Sequence, residues 1–80
     1  MERDQIIEKV NGFLEEEFEI APELLVSESS FKKDLGIDSL DIVDIVVMVD
    51  SIFGVKIKSE DLGKIITLGE FYDFIQEKTA

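Results

Sequence analysis

The chain has no cysteine, no histidine and no tryptophan, and only one proline and one tyrosine. Without cysteine there is no disulfide and no thiolate nucleophile, and without histidine as well there is no zinc site built on these ligands and no imidazole base. A serine in this chain therefore has no resident base, and a Ser-His-Asp arrangement cannot be assembled. Positive charge is scarce too: 8 Lys and Arg stand against 19 Asp and Glu, for a formal charge of −11. That balance excludes nucleic acid as a partner class, because phosphate contacts need Lys and Arg. Basic protein surfaces, approached with electrostatic steering, are the natural counterparts, although acidity also simply keeps a small protein soluble. No apolar run approaches the roughly 18–20 residues that cross a bilayer. No basic segment followed by an apolar one opens the sequence, so neither a signal peptide nor membrane insertion is expected. A cytoplasmic protein is. Eighty residues predict one domain over 1–80, too small to enclose a deep catalytic cleft, and no enzymatic activity of its own.

Apolar residues make up 45% of the chain, enough for a compact fold. Ile6, Ile7, Val10, Phe13 and Leu14 recur at helical spacing and predict a first helix over about 3–17. Gly12 weakens it by roughly 1 kcal/mol relative to alanine. Residues 18–38 show no sustained period; Pro22 and the polar Ser27-Glu28-Ser29-Ser30 mark a long loop. Phe18, Ile20, Leu24, Leu25, Val26, Phe31 and Leu35 are its expected anchors, with Phe31 the best placed. The segment Ser39–Phe53 reads as a helix closed by Gly54 in a left-handed cap. Val55-Lys56-Ile57-Lys58 alternates like a strand but has no partner strand, so an extended connector is expected, with Val55 and Ile57 inward. Ser59–Leu62 opens a short helical turn that Gly63 ends. Thr67-Leu68-Gly69-Glu70 is a capping box, and Leu68, Phe71, Tyr72 and Ile75 continue a last helix over about 68–78. The Tyr72 hydroxyl is expected to face the surface. The fold class is all-α: an up-and-down bundle of three main helices, a short extra helix and a long first loop.

The stretch around which the rest is arranged is Asp34-Leu35-Gly36-Ile37-Asp38-Ser39-Leu40-Asp41. A glycine-containing bend delivers Ser39 to a helix N-terminus, where unpaired N–H groups favour an attached phosphate. An Asp-Ser pair before a helix is also an ordinary cap. At about 100° per residue, Ile42, Ile45, Val46, Val49, Ile52 and Phe53 share one face, while Leu40, Val43 and Val47 fall opposite among Asp41, Asp44, Asp50 and Ser51. One face satisfies a small core. The second stripe is either covered by loop residues or a docking surface of apolar anchors edged with carboxylates.

The order of these features resembles the acyl carrier protein family along almost the whole chain, from the first helix through Ile75, and most closely over residues 31–57. It comprises Asp-Leu-Gly-Ile-Asp-Ser-Leu-Asp, a helix of about 15 residues ending Phe-Gly-Val, then Val-Lys-Ile and the Thr-x-x-Glu box. The resemblance implies an acyl carrier with no catalysis of its own. Its cofactor would be 4′-phosphopantetheine, transferred from coenzyme A to Ser39 by a phosphopantetheinyl transferase and holding acyl groups as thioesters. It implies that Asp38 contacts the transferase and its metal. Leu40, Asp41, Val43, Asp44 and Val47 would dock on basic patches of acyl-transferring and condensing enzymes. An acyl chain held between the helices would be lined by residues such as Val46, Met48, Ile65 and Phe31. A monomer serving fatty-acid or related polyketide or specialised lipid biosynthesis is expected.

One stretch departs from the family pattern. Where fatty-acid carriers commonly show several glutamates, this chain reads Val47-Met48-Val49-Asp50-Ser51-Ile52-Phe53, which suggests different docking partners and favours a specialised carrier. The alternative class is an acidic helical adaptor without a prosthetic group, which would tolerate Ser39→Ala. A calcium module is disfavoured, since no Asp-x-Asp/Asn-x-Asp/Asn-Gly loop with a closing Glu occurs. No metal site is assigned, beyond loose divalent binding at Asp38, Asp41 and Asp44.

Overall fold

A computed structural model describes residues 2–79. Its helices are α1 (Arg3–Phe18), α2 (Ser39–Phe53), α3 (Ser59–Gly63) and α4 (Leu68–Thr79), with a single 3-10 turn at Pro22–Leu24 in the first loop. No strand forms among the described residues, and the all-α expectation holds. Pro22 does not simply break a helix: it opens the 3-10 turn at its first position, where its missing N–H has no bond to lose.

The core is one cluster. From α1 it takes Ile6, Val10 and Leu14, which are 0–1% exposed, and from α4 Leu68, Phe71, Tyr72 and Ile75. Burying each of these large side chains contributes roughly 1.5–3 kcal/mol. Ile45, Met48 and Val49 come from α2, Ile57 from the connector and Leu62 from α3. Helix α1 packs on α4 and α2 on α3. The α1–α4 seam also carries polar ties: Arg3 pairs with Asp73, bonds Gln76 at 3.1 Å and lies 5.8 Å from the Tyr72 ring centre.

Tyr72 corrects an expectation. It is 2% exposed, and its hydroxyl donates to Asn11 Oδ1 on α1 instead of reaching solvent. A buried hydroxyl needs a partner, and Asn11 supplies it.

The long loop is pinned as expected at Ile20, Leu25, Phe31 and Leu35, all buried, while Phe18 is half-buried against the same core. Phe31 packs against Phe71 with ring centres 5.3 Å apart and planes tilted by 55°. Leu24 and Val26, at 40% and 41% exposure, are not anchors, because the 3-10 turn and the bend after it point them outward. Backbone bonds add what side-chain pattern does not show. Phe31 N–H donates to Ile66 O at 3.0 Å, Leu68 N–H to Ser29 O at 2.9 Å and Gly69 N–H to Ser27 O at 2.9 Å. These bonds stitch the loop to the start of α4, and they hold the segment that delivers the chain to α2.

Candidate prosthetic-group site at the start of α2

The approach to α2 is fixed by two features. Ile37 is 2% exposed and its N–H donates to Phe31 O at 2.8 Å, so the chain is anchored one residue before Asp38. Gly36 just upstream takes φ +68°, a conformation that side-chain-bearing residues rarely adopt, which turns the chain sharply into the helix. Asp38 is the N-cap. Its Oδ1 accepts from Leu40 N–H at 3.0 Å and Asp41 N–H at 3.1 Å, and Asp41 Oδ2 accepts in return from Asp38 N–H at 3.3 Å. This reciprocal box satisfies most of the donors that a helix start leaves open.

Ser39 is the first residue of α2 and is exposed. Among the described residues neither its hydroxyl nor its N–H has a protein hydrogen-bond partner. The cap is therefore Asp38, and Ser39 has no capping duty. One expectation is corrected here: the helix start does not offer a set of unpaired donors to a phosphate. Asp38 takes two of them, which leaves the N–H of Ser39 itself. The residues fit an attached group in another way, because Ser39 is exposed and its hydroxyl is bonded to no other described residue.

Beyond Ser39, α2 presents Leu40 at 82%, Val43 at 54% and Val47 at 62% exposure. The loop does not cover them. Asp44 beside them is exposed, while Asp41 is half-buried by its capping role. Leu40, Val43, Asp44 and Val47 thus lie on the outer side of the first half of α2, with Asp38, Ser39 and Asp41 at its start. The inward face holds Ile45 and Val49, with Ile42, Val46 and Phe53 half-buried against the core. One assignment changes: Ile52, placed inward by its angle, is 37% exposed, while Met48, on neither stripe in the sequence, is 4% exposed and joins the core. Ile52 borders an open depression together with Glu8, Lys9, Gly12, Phe13 and Glu16 of α1. The residues suggested as an interior lining do not enclose one cavity: Phe31 and Met48 lie in the core, and Val46 and Ile65 only border separate surface depressions. Asp38, Asp41 and Asp44 form no metal site, nor does any other cluster of three acidic side chains among the described residues.

A family model described as the phosphopantetheine attachment site matches residues 8–75. The chain belongs to the acyl carrier protein family. It is 38% identical to the acyl carrier protein of Thermosynechococcus vestitus over 80 residues, covering 100% of this chain and 99% of that one. With the acyl carrier protein of Thermotoga maritima it shares 38% identity over 76 residues, 95% of this chain and 94% of the relative. A crystal structure of an acyl carrier protein from Thermotoga maritima superposes with a TM-score of 0.79 at 31% identity, over 98% of this chain and 91% of that one. The chain is thus a carrier and not an enzyme, and its cofactor is 4′-phosphopantetheine. Its partners are acyl-transferring and synthetic enzymes. No described helix of the carrier is long and apolar enough to cross a membrane.

Proposed function

We propose that Ser39 is the residue that takes the 4′-phosphopantetheine group from coenzyme A, and that residues 1–80 act as one monomeric carrier domain in the cytoplasm. The observation that carries this reading is the exposed Ser39 hydroxyl at the first position of α2, fixed in place by the Asp38 cap and free of any structural duty. When bound, the group supplies the thiol that holds acyl intermediates as thioesters.

The protein's own residues have limited tasks. Ser39 presents its Oγ as the acceptor; with no histidine in the chain, the base that removes its proton belongs to the transferase. Asp38 uses Oδ1 for the helix cap, so Oδ2 remains for the transferase and its metal. Leu40, Val43 and Val47 are the apolar anchors for enzyme docking, and Asp41 and Asp44 the acidic groups that pair with basic patches. Docking of this kind is fast and weak, as a shuttle between condensing and acyl-transferring enzymes requires. The pathway is fatty-acid or related biosynthesis, and the apolar second half of α2 favours a specialised one.

Acyl loading tests the reading. The protein is treated with coenzyme A, magnesium and a phosphopantetheinyl transferase, then charged with a labelled acyl group. The label is expected to be released by neutral hydroxylamine, which cleaves thioesters, and to be absent from Ser39→Ala. Equal labelling of the variant would contradict it, as would a complete lack of labelling in both proteins.

A further inference from the structure

The apolar second half of α2 has a consequence beyond the Leu40–Val47 stripe. Met48 and Val49 are buried, so Val47, Asp50, Ser51 and Ile52 are left facing outward, with Val47, Ser51 and Ile52 turned towards α1. These three do not stand alone. With Phe13 and Glu17 of α1, and with Asp44 and Met48, they line a groove of about 410 Å³ between α1 and α2. A second depression of about 360 Å³ continues from the same Phe13 and Ile52 along Glu8, Lys9, Gly12 and Glu16.

Gly12 is the second observation. It interrupts α1 at a cost in helix stability, yet a Cβ placed on it meets nothing within 4 Å. Packing therefore does not require a glycine there. It borders the same depression as Ile52 and puts no side chain into it. The edges of the channel carry Glu8, Glu16, Glu17 and Asp44 against the single Lys9.

We infer that this α1–α2 groove is a second arm of the docking surface, receiving an amphipathic segment of an enzyme partner whose apolar side chains are flanked by Lys or Arg. Charge decides the occupant. A second copy of this chain brings another −11 and is repelled, and anionic lipid is repelled by the same four carboxylates. A basic-flanked protein segment matches both the apolar floor and the acidic edges. The inference rests on the carrier reading and extends it from one helix face to a seam between two helices.

The test is a titration of the ¹⁵N-labelled holo-carrier with the condensing enzyme of its own cell, followed by backbone NMR. Shifts or broadening are expected at Gly12, Phe13 and Ile52 in addition to Leu40–Val47. Gly12→Gln fills the channel with a better helix former, so the fold is retained while Kd rises roughly tenfold. Glu16→Gln with Glu17→Gln weakens binding and flattens its salt dependence. Perturbation confined to Leu40–Val47, or an unchanged Kd for Gly12→Gln, overturns the inference and leaves the carrier reading intact. Shifts in the groove on acyl loading alone would make the acyl chain the occupant and also overturn it, as would concentration-dependent dimerisation lost in Gly12→Gln. A response in the groove with silence at Leu40–Val47 would sink the docking role proposed for that stripe and spare this one. Silence at both sinks both docking assignments, while the Ser39 loading experiment still decides the carrier reading by itself.

Discussion

At Asp38 one carboxylate oxygen accepts from both Leu40 and Asp41 N–H groups, so substitution there separates structure from chemistry. Asp38→Ala is expected to lower stability by about 1 kcal/mol in urea unfolding through the lost cap. Asp38→Asn caps equally well and is expected to unfold like the parent, yet to slow transfer of the prosthetic group. Equal transfer rates for Asn and Asp would leave the carboxylate with a capping role alone. Tyr72 couples stability to alkaline pH. Burial raises its pKa above the ordinary 10.0, against the opposing effects of the Asn11 hydrogen bond and the Arg3 charge. A raised folded pKa means that the native state holds the phenolic proton where the unfolded state releases it. Stability from this group is thus fully present below about pH 10 and falls as pH climbs above it. Tyr72→Phe is expected to remove that part of the alkaline loss, as read from unfolding free energies between pH 9 and pH 11, where roughly a tenth to nine-tenths of an ordinary tyrosine ionises. The same alkaline slope in both proteins would contradict it.

Among the elements, the helices were legible from periodicity and punctuation, because their signals are local. The Asp38 cap, the Gly54 stop and the Thr67–Glu70 box set the ends, and the latter two appear as expected: Gly54 has φ +68°, and Glu70 N–H donates to Thr67 Oγ1 at 3.2 Å. What escaped was long-range. The loop-to-α4 stitch is made of backbone groups, which leave no mark on side-chain pattern. The inward turn of the Tyr72 hydroxyl depends on Asn11, which is 61 positions away. Ile52 looks like core by angle, yet it borders an open depression that it shares with residues of α1. Gly69 shows the same limit. Its place in the capping box gives no hint that an added Cβ would lie 3.0 Å from Ser27 Cβ and 3.1 Å from Ser27 O. Gly69→Ala is therefore expected to destabilise by about 1–3 kcal/mol by pushing the loop off α4, despite alanine's better helix propensity. A melting temperature equal to or above the parent's would show that the loop yields freely.

For the whole molecule, the charge of −11 acts with opposite sign on folding and on docking. Among the described residues only Arg3–Asp73 forms an ion pair, so most of the carboxylates repel without compensation. Raising the ionic strength is expected to raise the melting temperature while slowing association with enzyme partners. Asp41→Asn with Asp44→Asn should slow association and flatten its salt dependence; unchanged kinetics would reduce these carboxylates to solvating groups. Carrier function itself rests on one atom, Ser39 Oγ. Intact mass after treatment with coenzyme A, magnesium and a transferase, followed by fragmentation of the tryptic peptide 34–56, tests it most directly. That peptide holds both Ser39 and Ser51, so fragmentation must decide between them. A single phosphopantetheine located on Ser39 and absent from Ser39→Ala is expected. A group on Ser51, or one that persists in Ser39→Ala, would contradict it.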